Sequence, residues 1–343
     1  MGLQIGSRAS LRFLFTGTRP IIGTWFPSPK SPQSLFPMKT IVFALMLCLA
    51  AGSAMAQNVA LLFEHSVPQA AYAARKLGET LAAQGYRVTQ QRSNYDYLIS
   101  LAEHPEGLSA ESFAIVREGK VITIKGGDHR GLIYGALAVA ESLRNGTRLE
   151  TIPASSEKPK LEFRGIKYNL PWDTYRPSSA LDQHRDTARD LKYWEAFLDM
   201  MVENRFNAIS LWNMHPFTYM VQPKNFPEAS PWSKQEFAQW QHLYREIFRM
   251  AKERGLDTYI VFWSIFVSKE FAQAHDVAKE NFYPHYYVQG DTSEIVRRDL
   301  RESVKQVLQE YPDLDGIGVS HGEGMAGMTP LQRQEWIDDV LIA

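Results

Sequence analysis

Two rhythms of apolar and polar positions divide the chain from about residue 57 onward. In the first region N-V-A-L-L-F-E (Asn58 to Glu64) is a short apolar run that suits a buried strand. Apolar residues then recur at helical spacing between Gln69 and Gln84, with Ala73, Leu77 and Leu81 on one face and Gly85 as the stop. Tyr86 to Gln90 and Tyr97 to Leu101 read as strands. E-S-F-A-I-V-R-E-G-K-V-I-T-I-K-G alternates on both sides of Glu118-Gly119, which predicts a hairpin. A helix follows from about Arg130 to Asn145-Gly146. The prediction is a small α+β sandwich, one sheet with two helices, over residues 57–151.

A Pro- and Ser-containing connector, residues 152–160, leads into the second rhythm, in which short apolar strands alternate with long amphipathic helices. The predicted strands are Phe163 to Leu170, Phe206 to Asn213, Leu256 to Ser264 and Asp315 to Ser320. A helix near Asp190 to Glu203 carries Leu191, Trp194, Leu198 and Met201 on one face. A second starts at Lys234, capped by Ser233 with Glu236 completing a capping box. It shows Phe237, Trp240, Tyr244, Ile247 and Ala251 and ends at Gly255. A third lies near Ser293 to Gln309 after an insertion, and Thr329-Pro330 with Gln332 opens a fourth. Four successive βα units predict an α/β region with a parallel sheet. An open doubly wound sheet and a (β/α)8 TIM-type barrel compete. No glycine-rich phosphate turn follows any strand, and bulky polar and aromatic groups stand at the strand ends. Both features favour the barrel, of which residues 161–343 hold about the first four βα units.

Before the sandwich the pattern is that of a targeting segment. From Met38 the chain has one lysine, an apolar run from Ile41 to Ala51, and Ala54-Met55-Ala56, which predicts a signal peptide over residues 38–56 cut after Ala56. The run is too short to span a bilayer, so no membrane association is expected after its removal. Cys48, the single cysteine of the 343 residues, lies inside it and leaves the mature part with no thiolate metal site. Residues 1–37 are proline-spotted and aperiodic, as expected of a non-native or disordered leader. Export to the periplasm or the exterior follows as the expectation. The net charge of −1 and the absence of basic runs exclude a large nucleic-acid or lipid-headgroup surface.

Candidate chemistry collects at the strand ends: Asn169, Trp172, Asp173, Tyr175 and Arg176; Trp212, Asn213 and His215; Trp263 and Ser264; Ser320, His321 and Glu323. In a barrel these sets share one mouth. Indoles can pack on pyranose faces while Asn, His and Arg grip hydroxyls or a carboxylate, so Trp172, Asp173, Arg176, Trp212, Asn213, His215 and Trp263 are candidate sugar-binding residues. D-G-I-G-V-S-H-G-E-G-M sets Glu323 between two glycines, where a carboxyl group could protonate a glycosidic oxygen with His321 orienting it. The plainer alternative is a strand-end carboxylate that holds its own loop. No cofactor is expected and no metal. Tyr168-Asn169-Leu170 lacks the His-x-His pair of the metal-dependent barrel hydrolases.

Several segments resemble known enzymes. V-I-T-I-K-G-G-D-H-R-G-L-I-Y-G-A-L-A-V-A-E is similar to the end of the small domain that precedes the barrel in α-glucuronidases and β-N-acetylhexosaminidases. R-G-I-K-Y-N-L-P, N-A-I-S-L-W-N-M-H-P-F and D-G-I-G-V-S-H-G-E-G-M resemble strand segments of bacterial α-glucuronidase-like glycoside hydrolases. The resemblance implies a glycosidase acting on an oligosaccharide or polysaccharide, with Glu323 as general acid. The hexosaminidases of this architecture carry an Asp directly before the acid Glu, to hold the acetamido group. Gly322 stands there in this chain, which implies a different sugar. A β-N-acetylhexosaminidase-like enzyme and a non-catalytic glycan-binding fragment remain the alternatives.

Overall fold

The computed structural model describes residues 56–104, 106–170, 179–280, 287–321, 325 and 327–342. Residues 56–343 fall into one compact unit. Two sheets with separate apolar cores lie within it.

The first sheet is formed by β1 (Asn58–Leu62), β2 (Arg87–Thr89), β3 (Tyr97–Glu103), β4 (Phe113–Glu118), β5 (Val121–Gly126) and β6 (Ser155–Glu157), in the order β2-β1-β3-β5-β4-β6. The β4–β5 hairpin turns at Gly119, whose φ of +61° is costly for a side chain with a Cβ. Helices α1 (Pro68–Ala83) and α2 (His129–Arg144) cover one side. Ala73, Leu77 and Leu81 are fully buried, as the helical spacing predicts. Asp128 caps α2 by accepting from the Gly131 amide at 2.8 Å. At Gly131 a Cβ would stand 2.0 Å from the Ser112 carbonyl oxygen, so the helix can approach the β4 loop only with glycine there. The connector differs from expectation. Ser155–Glu157 pairs antiparallel with β4 and adds an edge strand that no apolar alternation announces.

The second sheet holds β7 (Gly165–Asn169), β8 (Ala208–Asn213), β9 (Asp257–Trp263) and, last in the chain, β13 (Gly316–Ser320), all parallel and side by side in sequence order. Between them run α3 (Ser179–Arg189), α4 (Leu191–Glu203), the short α5 (Phe217–Met220), α6 (Lys234–Glu253), α7 (Lys269–His275) and α8 (Glu294–Glu310), with α9 (Pro330–Ile337) after β13. The capping boxes at Ser233/Glu236 and Thr329/Gln332 are both formed. Trp194, Leu198, Met201, Tyr244, Ile247 and Ala251 are fully buried between helices and sheet. The insertion after β9 is a small antiparallel sheet of β10 (Phe266–Ser268), β11 (Ala278–Glu280) and β12 (Tyr287–Gly290). A parallel sheet with α-helical crossovers agrees with the predicted α/β class.

Two polar clusters tie the sandwich to the parallel sheet. Glu111 accepts hydrogen bonds from Arg130 (3.0 Å), from the Asn207 amide (2.8 Å) and from Arg164, while Arg130 also pairs with Asp257. Burial alone would raise the Glu111 carboxyl, but the bonds from Asn207, Arg164 and Arg130 outweigh it and hold the group below the usual range. Asp199 on α4 accepts from Tyr72 (2.9 Å), Lys76 (3.1 Å) and the buried Arg254 (2.6 Å). Among the described residues no helix is long and apolar enough to cross a membrane, and none of the His, Cys, Asp and Glu groups forms a set suited to a metal.

Candidate active site

The pleat of the parallel sheet decides what stands at its C-terminal edge. On β7, Ile166 and Tyr168 pack against the helical core, Tyr168 with its ring centroid 4.7 Å from that of Trp194 and 5.4 Å from that of Phe197. Gly165, Lys167 and Asn169 therefore turn to the opposite face. The same parity puts Ser210 and Trp212 of β8, and Tyr259, Val261 and Trp263 of β9, on that face, because Ile209, Leu211, Ile260 and Phe262 are in the helical core. On β13 it leaves Gly316, Gly318 and Ser320. A Cβ on Gly316 or Gly318 would stand 3.0–3.1 Å from the side chains of Tyr259 and Val261, so the two glycines make room for the larger residues beside them.

Trp212 and Trp263 meet edge to face, with centroids 5.4 Å apart and planes at 82°. The sequence left open which way each indole points; strand parity puts both on the face of Lys167, and Trp263 also joins the apolar core against which Trp212 packs. Their accessibility differs: Trp212 is half-buried, whereas Trp263 is buried. Lys167 stands against the ring of Trp212, its Nζ 4.6 Å from the centroid. One side of that indole is thus occupied by an ammonium group. Lys167 is absent from the set collected at the strand ends because it sits inside β7, two residues before Asn169. Its signal was the alternation of R-G-I-K-Y-N-L itself.

Asn213 and His215 come together in the turn after β8. The Asn213 Oδ1 accepts from the His215 amide at 2.9 Å, and the His215 carbonyl accepts from the Thr218 hydroxyl at 3.2 Å. His215 is 2% exposed, with Phe217 edge-on at 5.6 Å. Burial pushes its imidazole down to about 3, which favours the neutral ring. Its Nδ1 has no hydrogen-bond partner among the described residues. In this conformation the two side chains shape the turn from inside. Ser264 accepts a hydrogen bond of 2.6 Å from the indole of Trp336 on α9, a residue that the strand-end pattern does not reveal.

On β13, Ser320 is half-buried and His321 exposed at the same edge. Glu323, Trp172, Asp173 and Arg176 lie outside the described residues. The described part of the site is a sheet edge with two indoles, one lysine, the exposed His321 and uncharged polar groups, a combination able to receive a polar ring with an anionic substituent.

Residues 48–156 match the family model "Glycosyl hydrolase family 20, domain 2". No curated protein sequence matches the chain. Among solved structures, a GH138 enzyme targeting pectin rhamnogalacturonan II superposes with a TM-score of 0.71 at 25% identity, over 83% of this chain and 41% of the other. The GH20 β-N-acetylhexosaminidase of Streptomyces coelicolor gives 0.52 at 13% identity, over 83% and 59%. A mutant β-hexosaminidase of Streptomyces plicatus in complex with its product GlcNAc gives 0.53 at 14%, over 83% and 58%. The chain thus spans about two fifths to three fifths of the length of these enzymes. The likeness to the Streptomyces enzymes is one of fold; that to the GH138 enzyme extends to sequence. By its small domain and by its overall architecture, the chain is similar to glycoside hydrolases of families 20 and 138.

Proposed function

We propose that the chain supplies the small domain and the first four βα units of the barrel of an exported glycoside hydrolase that removes a uronic acid residue from a plant or microbial polysaccharide. The observation that carries this reading is the 0.71 likeness, at 25% identity, to an enzyme that targets a pectin. Pectins are polyuronides, and the resemblance of the strand segments to α-glucuronidase-like hydrolases implies an acidic sugar as well. Glu323, which follows β13 in sequence, is the proposed general acid. Its carboxyl proton passes to the glycosidic oxygen as the C1–O bond breaks, the bonding pair stays with that oxygen, and water completes the hydrolysis at C1. His321 orients the carboxyl group. Trp172, Asp173, Arg176, Trp212 and Trp263 line the sugar site, with Asn213 and His215 supporting the β8 turn beneath it.

A β-N-acetylhexosaminidase-like activity is the second reading, favoured by the family 20 domain over residues 48–156. Gly322, in the position before the acid where those enzymes carry Asp, weighs against it. The test is Glu323→Gln in the intact native gene product. General acid catalysis contributes about 10²–10⁴-fold, so the loss should fall on glycosides with poor leaving groups and spare activated aryl glycosides in the bond-breaking step. Equal losses on both types, with unchanged stability, would remove Glu323 from the role.

A further inference from the structure

We infer that Lys167 is the residue that selects a carboxylate-bearing sugar over the matching neutral hexose. This rests on the glycosidase reading above and adds to it a specificity-determining side chain. Lys167 stands on the open face of the parallel sheet and is exposed. Its Nζ lies 4.6 Å from the centroid of Trp212, two positions further along β8 than its register partner Ser210, so the side chain leans toward the C-terminal edge. Trp212 is itself braced by Trp263. A lysine on a bare surface samples many rotamers, whereas contact with a fixed indole restricts this one and reduces the entropy lost when it meets an anion.

Among the described residues no carboxylate is within ion-pairing distance of Lys167, in contrast to Lys76, Arg130 and Lys252, each of which has one. The other side chains on its face toward this edge are neutral: Asn169, Ser210, Val261 and Ser320. Asp257 shares the face but stands at the opposite end of β9, engaged by Arg130. An ammonium group with no carboxylate beside it among the described residues, held against an indole next to a sheet edge with hydrogen-bonding groups, suits a pyranose whose C6 is a carboxylate. A neutral hexose would gain little from it.

The experiment is equilibrium binding by calorimetry to the intact gene product, with galacturonate and glucuronate against galactose and glucose. The wild-type protein should bind at least one uronate about tenfold more tightly than its neutral counterpart, a difference of roughly 1.4 kcal/mol. Lys167→Met keeps the stem and removes the charge, and should bring the ratio to about one through loss on the uronate. Lys167→Arg should retain most of the preference, and added salt should erode it in the wild type. Equal affinities in the wild type, a parallel loss of both sugars in Lys167→Met, or binding of neither sugar would overturn the inference. The two readings fail separately. Selective uronate binding with no aryl uronide or hexoside cleaved would refute the hydrolase and leave Lys167 standing. Cleavage without uronate preference would do the reverse.

Discussion

Asp299 should make the protein less stable as the pH rises from 5 to 8, and Asp299→Asn should remove that dependence. The residue lies on α8, is 1% exposed, and has no hydrogen-bond partner on either carboxyl oxygen among the described residues. Burial, with the charges of Glu302 and Glu228 adding to it, raises the carboxyl from 3.8 to about 7. The sign follows from proton counting. Between these values the folded protein holds a proton that the unfolded chain has released, so each pH step upward favours unfolding. At 1.36 kcal/mol per pH unit, the shift amounts to about 4 kcal/mol in full, of which roughly 3 kcal/mol falls between pH 5 and 8.

The assay is urea unfolding of the intact gene product at pH 5, 6, 7 and 8, followed by tryptophan fluorescence. The buried amide of the variant has an unsatisfied-group cost of its own, about 1–3 kcal/mol, but this does not vary with pH and cancels from the comparison. What is read is the difference between wild type and variant, which should move in the variant's favour by roughly 3 kcal/mol across the range, with m-values unchanged. Parallel curves, within about 0.5 kcal/mol at every pH, would show that Asp299 is ionised and satisfied, and the account of its burial would fall.

Two further outcomes are expected. Glu111→Ala leaves Arg164 without its carboxylate and Arg130 with Asp257 alone; it should cost about 3 kcal/mol and expose the 152–160 connector to limited proteolysis. Because the Glu111 carboxyl is held low, its contribution to stability should be complete above the ordinary carboxylate range, decline as the pH falls below that range, and be lost as the pH falls through the depressed value. Export should leave a mature N-terminus near Gln57 or Asn58 on N-terminal sequencing, and an intact Met1 on the cellular protein would contradict the leader reading.

Where the fold was legible in the sequence, the determinants were local. The box at Ser233/Glu236 places the start of α6 to the residue, since the two groups that satisfy the helix end are three positions apart in the chain. Trp194, Leu198 and Met201 repeat at a helical interval and are all buried. The features that escaped depend on partners far away. Ser155–Glu157 is polar throughout and becomes a strand only because β4 offers a free edge. The antiparallel strands β10, β11 and β12 interrupt the βα rhythm without a pattern of their own. The candidate site shows the same division. Residue types at the strand ends pointed to a sugar, but a strand fixes only parity: it says that Lys167 and Asn169 share a face, not which face is open. That is decided once Tyr168 is seated against Trp194 and Phe197. From that contact the orientation of Lys167 follows, and register with β8 brings it to Trp212. The orientation of the lysine proposed to select the uronate is therefore set by aromatic packing on the other side of the sheet. If Lys167 selects the uronate, Tyr168→Leu should lower the uronate-to-hexose affinity ratio in the same calorimetric comparison, and an unchanged ratio would show that Lys167 is held without the ring.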